Sequence, residues 1–241
     1  MSTRSLVDRP DDFAGQQVHV IYAVPRDGAD QQFDVTSKIP YSLAAANNWL
    51  QGQIGRKVKF DTFQGDLDIT FVQLPRTDAE YASGYKTYQI QLDLNRLQVV
   101  GKNLLAFYDG PGTPAACGES SIPSGPFDRQ FSIVYRDGCW SNPAPTPTST
   151  PNYSDFIAIH EIFHAFGANH TPQITSAQTL QISQQEYFFL ACDLMYIRQE
   201  NLCTTGKYLD PLGRFYYNPA GFADSRVNAY YSPFLTPPPA K

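Results

Sequence analysis

The chain has 241 residues, 42% of them apolar and 14% aromatic, and a net charge of −5. This is enough apolar material for the packed core of one large domain or two small ones, and the lack of a basic excess argues against a nucleic-acid partner. No apolar run approaches the roughly 20 residues that cross a bilayer, so we expect no membrane partner.

The first predicted elements are a strand and a helix. Residues 18–24 (VHVIYAV) form a β-branched and aromatic run before Pro25, which predicts a strand buried on both faces. His19 is alone in this strand, so we interpret it as a packing or surface residue and not as a metal ligand. Apolar residues recur at helical spacing over 42–54, which predicts an amphipathic helix ending before Gly55.

The middle of the chain predicts a mixed sheet. Further strands are expected from apolar or alternating patterns at 67–74, 88–94, 103–110 and 131–135. Residues 141–152 (SNPAPTPTSTPN) contain four prolines and resemble a linker, but a helix follows directly, so we interpret them as a stiff surface loop.

The four cysteines contain no close CxxC pair, which favours two disulfides over a cysteine zinc site, with buried free thiols as the alternative. The nearest partners in sequence give the pairings Cys117–Cys139 and Cys192–Cys203. Disulfides are typical of secreted proteins, and residues 1–17 lack the apolar centre of a signal peptide. We therefore expect a secreted protein whose signal peptide is not part of this sequence.

Three of the four histidines lie within HEIFHAFGANH, residues 160–170. The stretch 154–167 has a capping serine, an apolar run and a final glycine, and so predicts a helix. His160 and His164 are one turn apart on that helix, about 6 Å along its axis, so both imidazoles can reach one metal ion.

The remaining motif residues complete a catalytic zinc site. Glu161 could reach a water on the ion without ligating it, and Gly167 can end the helix and turn the chain so that His170 becomes the third ligand. Three neutral nitrogens leave the fourth position of Zn²⁺ open, which is typical of catalytic and not structural sites.

The pattern HExxHxxGxxH resembles the signature of the metzincin metalloproteases, and DLMY at 193–196 places Met195 where that group has its Met-turn. The likeness is to a secreted, bacterial-type member. It implies an α+β fold with a twisted, mixed five-stranded sheet and two long helices in an upper subdomain, and a coil-rich lower subdomain. It further implies a tail at 1–17 and one catalytic domain at 18–241, divided into subdomains of about 18–170 and 171–241.

The sequence therefore predicts a zinc metalloendopeptidase that acts on protein or peptide substrates, and we expect it to be a monomer. Zinc would bind and acidify a water, and Glu161 would take its proton. His160, His164 and His170 would hold the metal. The residue after His170 is Thr171, unlike the glutamate of astacins or the aspartate of adamalysins, and Tyr196 follows Met195 directly, so a catalytic role for this tyrosine stays open.

Two alternatives remain open. Glu186 lies at nearly the spacing from His164 at which gluzincins supply their third ligand, although SQQE at 183–186 also matches a helix-capping box. The other alternative is a zinc-stabilised protein without catalysis that binds a protein or glycan through C-terminal tyrosines, namely Tyr216, Tyr217, Tyr230 and Tyr231.

Overall fold

A computed structural model describes residues 4–54, 56–95, 102–113, 116–121, 130–137, 140, 143–149, 151, 153–165 and 234–236. Several residues with predicted roles lie outside these ranges, namely Cys139, Gly167, His170, Glu186, Cys192, Met195, Tyr196, Cys203 and the C-terminal tyrosines. Within them, no helix is both long and apolar enough to cross a bilayer.

A mixed five-stranded sheet with the strand order β4-β1-β5-β7-β6 forms the centre of the fold. Four neighbouring strands run parallel, and β6 pairs antiparallel with β7. The five strands are β1 (Gln17–Val24), β4 (Ile69–Gln73), β5 (Lys102–Pro111), β6 (Gly118–Ser120) and β7 (Phe131–Asp137), and a separate small hairpin contains β2 (Thr62–Phe63) and β3 (Asp66–Leu67). The predicted α+β class and the five-stranded mixed sheet are confirmed.

Helices cover both faces of the sheet. They are α1 (Lys38–Ile54), α2 (Asp78–Ala82), α3 (Lys86–Leu94) and α4 (Tyr153–Ala165). Val20 and Tyr22 of β1 belong to the core shared with α1 and α4, whereas Ile21 and Ala23 belong to the core shared with α2 and α3. Strand β1 is therefore buried on both faces, as its sequence predicts.

The strand predicted at 88–94 is wrong, because these residues form most of α3. Ile90 and Leu94 are buried, while Tyr88 and Leu92 are 50% and 43% exposed. The two residues of each pair are four positions apart and so lie on one face of the helix, one pair facing the core and the other facing solvent. The apolar residues at every second position therefore come from two opposite helix faces and not from one face of a strand. The helix predicted at 42–54 is confirmed, but α1 begins four residues earlier, at Lys38.

A short C-terminal segment joins the same body. Phe234 and Leu235 are buried in the core that contains α1 and α4. The amide of Lys59 donates to the Phe234 carbonyl at 2.8 Å, and the amide of Thr236 donates to the Lys57 carbonyl at 2.8 Å. Residues 234–236 are thereby fixed beside residues 57–59.

Candidate active site

Helix α4 carries the first part of the HExxH motif into the interior. The side chains of His160 and Glu161 are buried, with residue exposures of 4% and 5%. His164 lies on the same helix one turn further along, as predicted. The sequence forms a helix here because an apolar run, Phe156 to Ile159, follows Asp155 in the first turn, where a carboxylate interacts favourably with the helix dipole.

The start of α4 is fixed by Asp155, which is fully buried. Its Oδ1 accepts hydrogen bonds from the hydroxyl of Ser42 on α1 at 2.6 Å and from the amide of Ala144 at 2.9 Å. Trp140 Nε1 donates to the same serine oxygen at 3.2 Å. The proline-rich loop and α1 therefore set where α4 begins.

The far half of α4 is held by two serines of the sheet. The Ser132 hydroxyl on β7 lies 2.9 Å from the backbone carbonyl oxygen of Glu161, and the Ser120 hydroxyl on β6 lies 2.6 Å from the same oxygen. Ser120 Oγ also lies 2.9 Å from Oε2 of the Glu161 carboxylate. Strand β6 therefore contacts both the backbone and the side chain of the residue predicted to be the general base.

Gly118 provides the space for that side chain. A methyl group added at Gly118 would lie 2.6 Å from Cγ and 2.8 Å from Oε1 of Glu161, and 2.7 Å from the carbonyl oxygen of Ile133. All three distances are shorter than van der Waals contact, and the Ile133 oxygen belongs to the backbone and cannot swing away. Neither Gly118 nor Ser120 could be recognised from the sequence, because a three-residue strand leaves no periodic signal.

The residue between them, Glu119, faces away from α4. Its carboxylate accepts hydrogen bonds from Thr113, at 2.9 Å, and from Thr87 on α3. Thr87 also hydrogen-bonds the hydroxyl of Tyr135 at 2.6 Å, and burial raises the pKa of that phenol. Alternating side chains of β6 thus serve opposite faces of the sheet, and only Gly118 and Ser120 belong to the candidate site.

A second polar cluster lies near the start of β1, around His19. Asp8, His19, Asp61 and Asp68 offer ligand atoms within 4.8 Å of one another, which is close enough to hold a metal ion. His19 is 1% exposed, and its Nδ1 lies 2.7 Å from Asp61 while its Nε2 lies 2.9 Å from Thr70. His19 is buried, as expected of a packing residue, but its sequence context gave no sign of the carboxylates around it, with which it could hold a metal ion.

An ammonium group already lies among these carboxylates. Lys102 Nζ is 2.6 Å from Asp61, 2.6 Å from Asp11 and 2.9 Å from Asp8. Burial alone would lower the pKa of Lys102, but hydrogen bonds to the three carboxylates raise it. Burial raises the pKa of Asp61, but its hydrogen bonds with His19 and with Lys102 outweigh burial and hold that pKa below the usual value. We interpret this cluster as structural.

The described residues of the motif are compatible with zinc. Two histidines stand one turn apart on one helix, which is the spacing that lets both bind one ion, and the imidazole of His160 is shielded from bulk water. Glu161 follows His160 directly, and its carboxylate accepts a hydrogen bond from Ser120 of β6. Cys117 lies immediately before Gly118, and its predicted pairing with Cys139, which lies outside the described residues, stays a prediction.

No family model and no curated protein sequence matches this chain. Solved structures that resemble it include archaemetzincin from Methanopyrus kandleri, with 13% identity, 64% of this chain and 77% of that chain covered, and a TM-score of 0.36. OgpA from Akkermansia muciniphila has 11% identity and a TM-score of 0.40, with 89% of this chain and 67% of that chain covered. Mirolysin has 9% identity and a TM-score of 0.33, with 65% of each chain covered. These are distant likenesses.

Proposed function

We propose that the protein is a zinc-dependent endopeptidase in which Glu161 is the general base. The observation that carries this proposal is the buried Glu161 carboxylate. It lies directly after His160 and three residues before His164, and a hydroxyl of strand β6 holds it. A helix that only bound zinc would not need a carboxylate at this position. His160, His164 and His170 are the proposed ligands.

The chemistry divides between the metal and the chain. Bound zinc would polarise the scissile carbonyl and acidify the attacking water. The Glu161 carboxylate would accept the proton of that water and deliver it to the nitrogen of the leaving amine, so one residue serves both proton transfers. Burial of Glu161 and its hydrogen bond with Ser120 restrict the movement of the carboxylate, which favours the fixed geometry that proton transfer would need.

We propose that the protein is secreted, because the four cysteines predict two disulfides and disulfides persist in oxidising compartments. We propose protein or peptide substrates and a monomeric enzyme. Two alternatives remain predictions of the sequence. One is a gluzincin-type site with Glu186 as the third ligand, and the other is a non-catalytic protein that binds its partner through the C-terminal tyrosines.

The mechanism is tested by measuring how fast wild type and Glu161→Ala cleave an unfolded protein. The zinc content of both proteins is measured as well. Loss of the base should lower the rate by about 10²- to 10⁴-fold while zinc content stays at one per chain. Glu119→Gln is a matched control, because Glu119 faces the opposite side of the sheet, and its rate should equal that of wild type. Equal rates for wild type and Glu161→Ala would refute the proposal, and a wild type that cleaves nothing would favour the binding protein.

A further inference from the structure

We propose that Ser120 is a positioning residue that holds the Glu161 carboxylate in its reactive orientation, and that Ser132 makes this possible by satisfying the backbone of the same residue. The inference rests on the proposed role of Glu161. It assigns to β6 a function that goes beyond packing against α4.

The number of hydroxyl protons supports this assignment. Glu161 presents two oxygens to the serines, its carbonyl oxygen and carboxylate Oε2, and each serine has one proton to donate. Ser132 Oγ is 2.9 Å from the carbonyl oxygen, while Ser120 Oγ is within hydrogen-bond distance of both oxygens, at 2.6 Å and 2.9 Å. When Ser132 donates to the carbonyl, the proton of Ser120 is left for the carboxylate.

The sheet makes this arrangement rigid. Ser120 and Ser132 are directly opposite each other in the antiparallel pairing of β6 with β7, and their hydroxyl oxygens are 3.1 Å apart. Opposite residues share one face of a sheet, so the backbone register delivers both hydroxyls to the same point of α4. Gly118, two residues earlier on that face, leaves the room into which Glu161 fits.

A purely structural role predicts a different outcome. If the two serines only anchored the helix, both would act through the carbonyl oxygen, and losing either would reduce stability without a specific effect on the chemical step. If Ser120 holds the carboxylate, Ser120→Ala should lower kcat with little change in KM, because the lost interaction matters at the proton transfer and not in substrate binding.

We therefore compare wild type with Ser120→Ala, Ser132→Ala, the double variant and Ser120→Thr. Ser120→Ala should lower kcat about tenfold, the loss expected for a hydrogen bond to a charged group, and Ser120→Thr should recover most of it because threonine keeps the hydroxyl and suits a strand. Ser132→Ala should also lower kcat, since Ser120 would then donate to the carbonyl. The double variant should be no worse than Ser120→Ala, because both act on one carboxylate.

Ser121→Ala is the matched control. The Ser121 hydroxyl contacts only the backbone of Phe131 among the described residues, at 3.0 Å from its amide nitrogen and 3.4 Å from its carbonyl oxygen. This variant should keep the kcat of wild type.

A measurement on the zinc-free protein separates this inference from the proposed function. In protein labelled with ¹³C-glutamate, the Glu161 carboxylate resonance is identified as the one missing from Glu161→Gln. It should move in Ser120→Ala and stay in place in Ser121→Ala. An unmoved resonance in Ser120→Ala overturns the inference whatever the activity of wild type, whereas a moved resonance in a protein without peptidase activity overturns the proposed function alone.

Discussion

Replacing Lys102 by methionine should remove a large part of the protein's stability. Lys102 is 4% exposed in its side chain and Asp61 is 0% exposed, so the variant leaves a buried carboxylate without its ammonium partner. Breaking such a pair typically costs about 3–5 kcal/mol. The side chains of Asp8 and Asp11 are 29% and 34% exposed, so each of their ion pairs with Lys102 stabilises the fold by less than about 1 kcal/mol. His19 still contacts Asp61 in the variant, so we expect the free energy of unfolding to fall by about 3 kcal/mol, the lower end of that range.

The loss should depend on pH in a defined direction. In wild type the pKa of Asp61 is below its usual value, so its stabilising effect is present at neutral pH and is lost only as the pH falls through that low pKa. In Lys102→Met burial is no longer offset by the ammonium, so the Asp61 pKa rises. As the pH drops below the raised value, protonation removes the buried charge, and the deficit should shrink by up to about 1.4 kcal/mol per pH unit.

Urea unfolding followed by far-UV circular dichroism at pH 7 and near pH 4 measures both effects. Lys59→Met is the control, because burial and Arg56, and no carboxylate among the described residues, shift the pKa of Lys59. A difference below about 1 kcal/mol at pH 7 would refute the assignment of Lys102 as the internal cation. A deficit that stays constant down to pH 4 would show that the lost packing of the lysine chain, and not charge, is responsible.

Three further predictions concern the site and its surroundings. Gly118→Ala should displace Glu161, cutting peptidase activity at least tenfold and destabilising the fold by about 1–3 kcal/mol, as measured by kinetics and urea unfolding. His170→Ala should weaken zinc binding in a chelator competition whereas Glu186→Gln should not, and the reverse order would identify a gluzincin-type site. Peptide mapping without reductant should recover the pairings Cys117–Cys139 and Cys192–Cys203, and a peptide that links Cys117 to Cys192 would contradict them.

Sequence patterns were sufficient where one periodicity dominated. The β-branched run of β1 and the apolar run of α4 each have one reading, and both elements are present. Residues 88–94 were misread because Tyr88, Ile90, Leu92 and Leu94 satisfy a period of two, while only burial reveals them as two i,i+4 pairs. The preceding helix does have a local sequence signal, because Thr77 and Glu80 form a capping box at the start of α2.

In the candidate site, too, only the residues with a local sequence signal could be predicted. The HExxH residues could be recognised because their chemistry lies within one helix turn. Ser120 and Ser132 could not, because their relation to Glu161 depends on the pairing of two strands and the docking of a helix, which no local window contains. The buried acid cluster was missed for the same reason, since Asp8, Asp61 and Lys102 come from distant segments.

Residues 234–236 bear on the segment that contains His170 and Met195. Both ends of that segment are fixed to the sheet domain, at Ala165 by helix α4 and at Phe234 by backbone hydrogen bonds with residues 57–59. Joining two fixed ends through a chain of this length costs on the order of 4 kcal/mol of chain entropy. The contacts of residues 234–236 with residues 57–59 therefore have to offset that cost, so deleting residues 234–236 would remove the anchor at the C-terminal end of the segment.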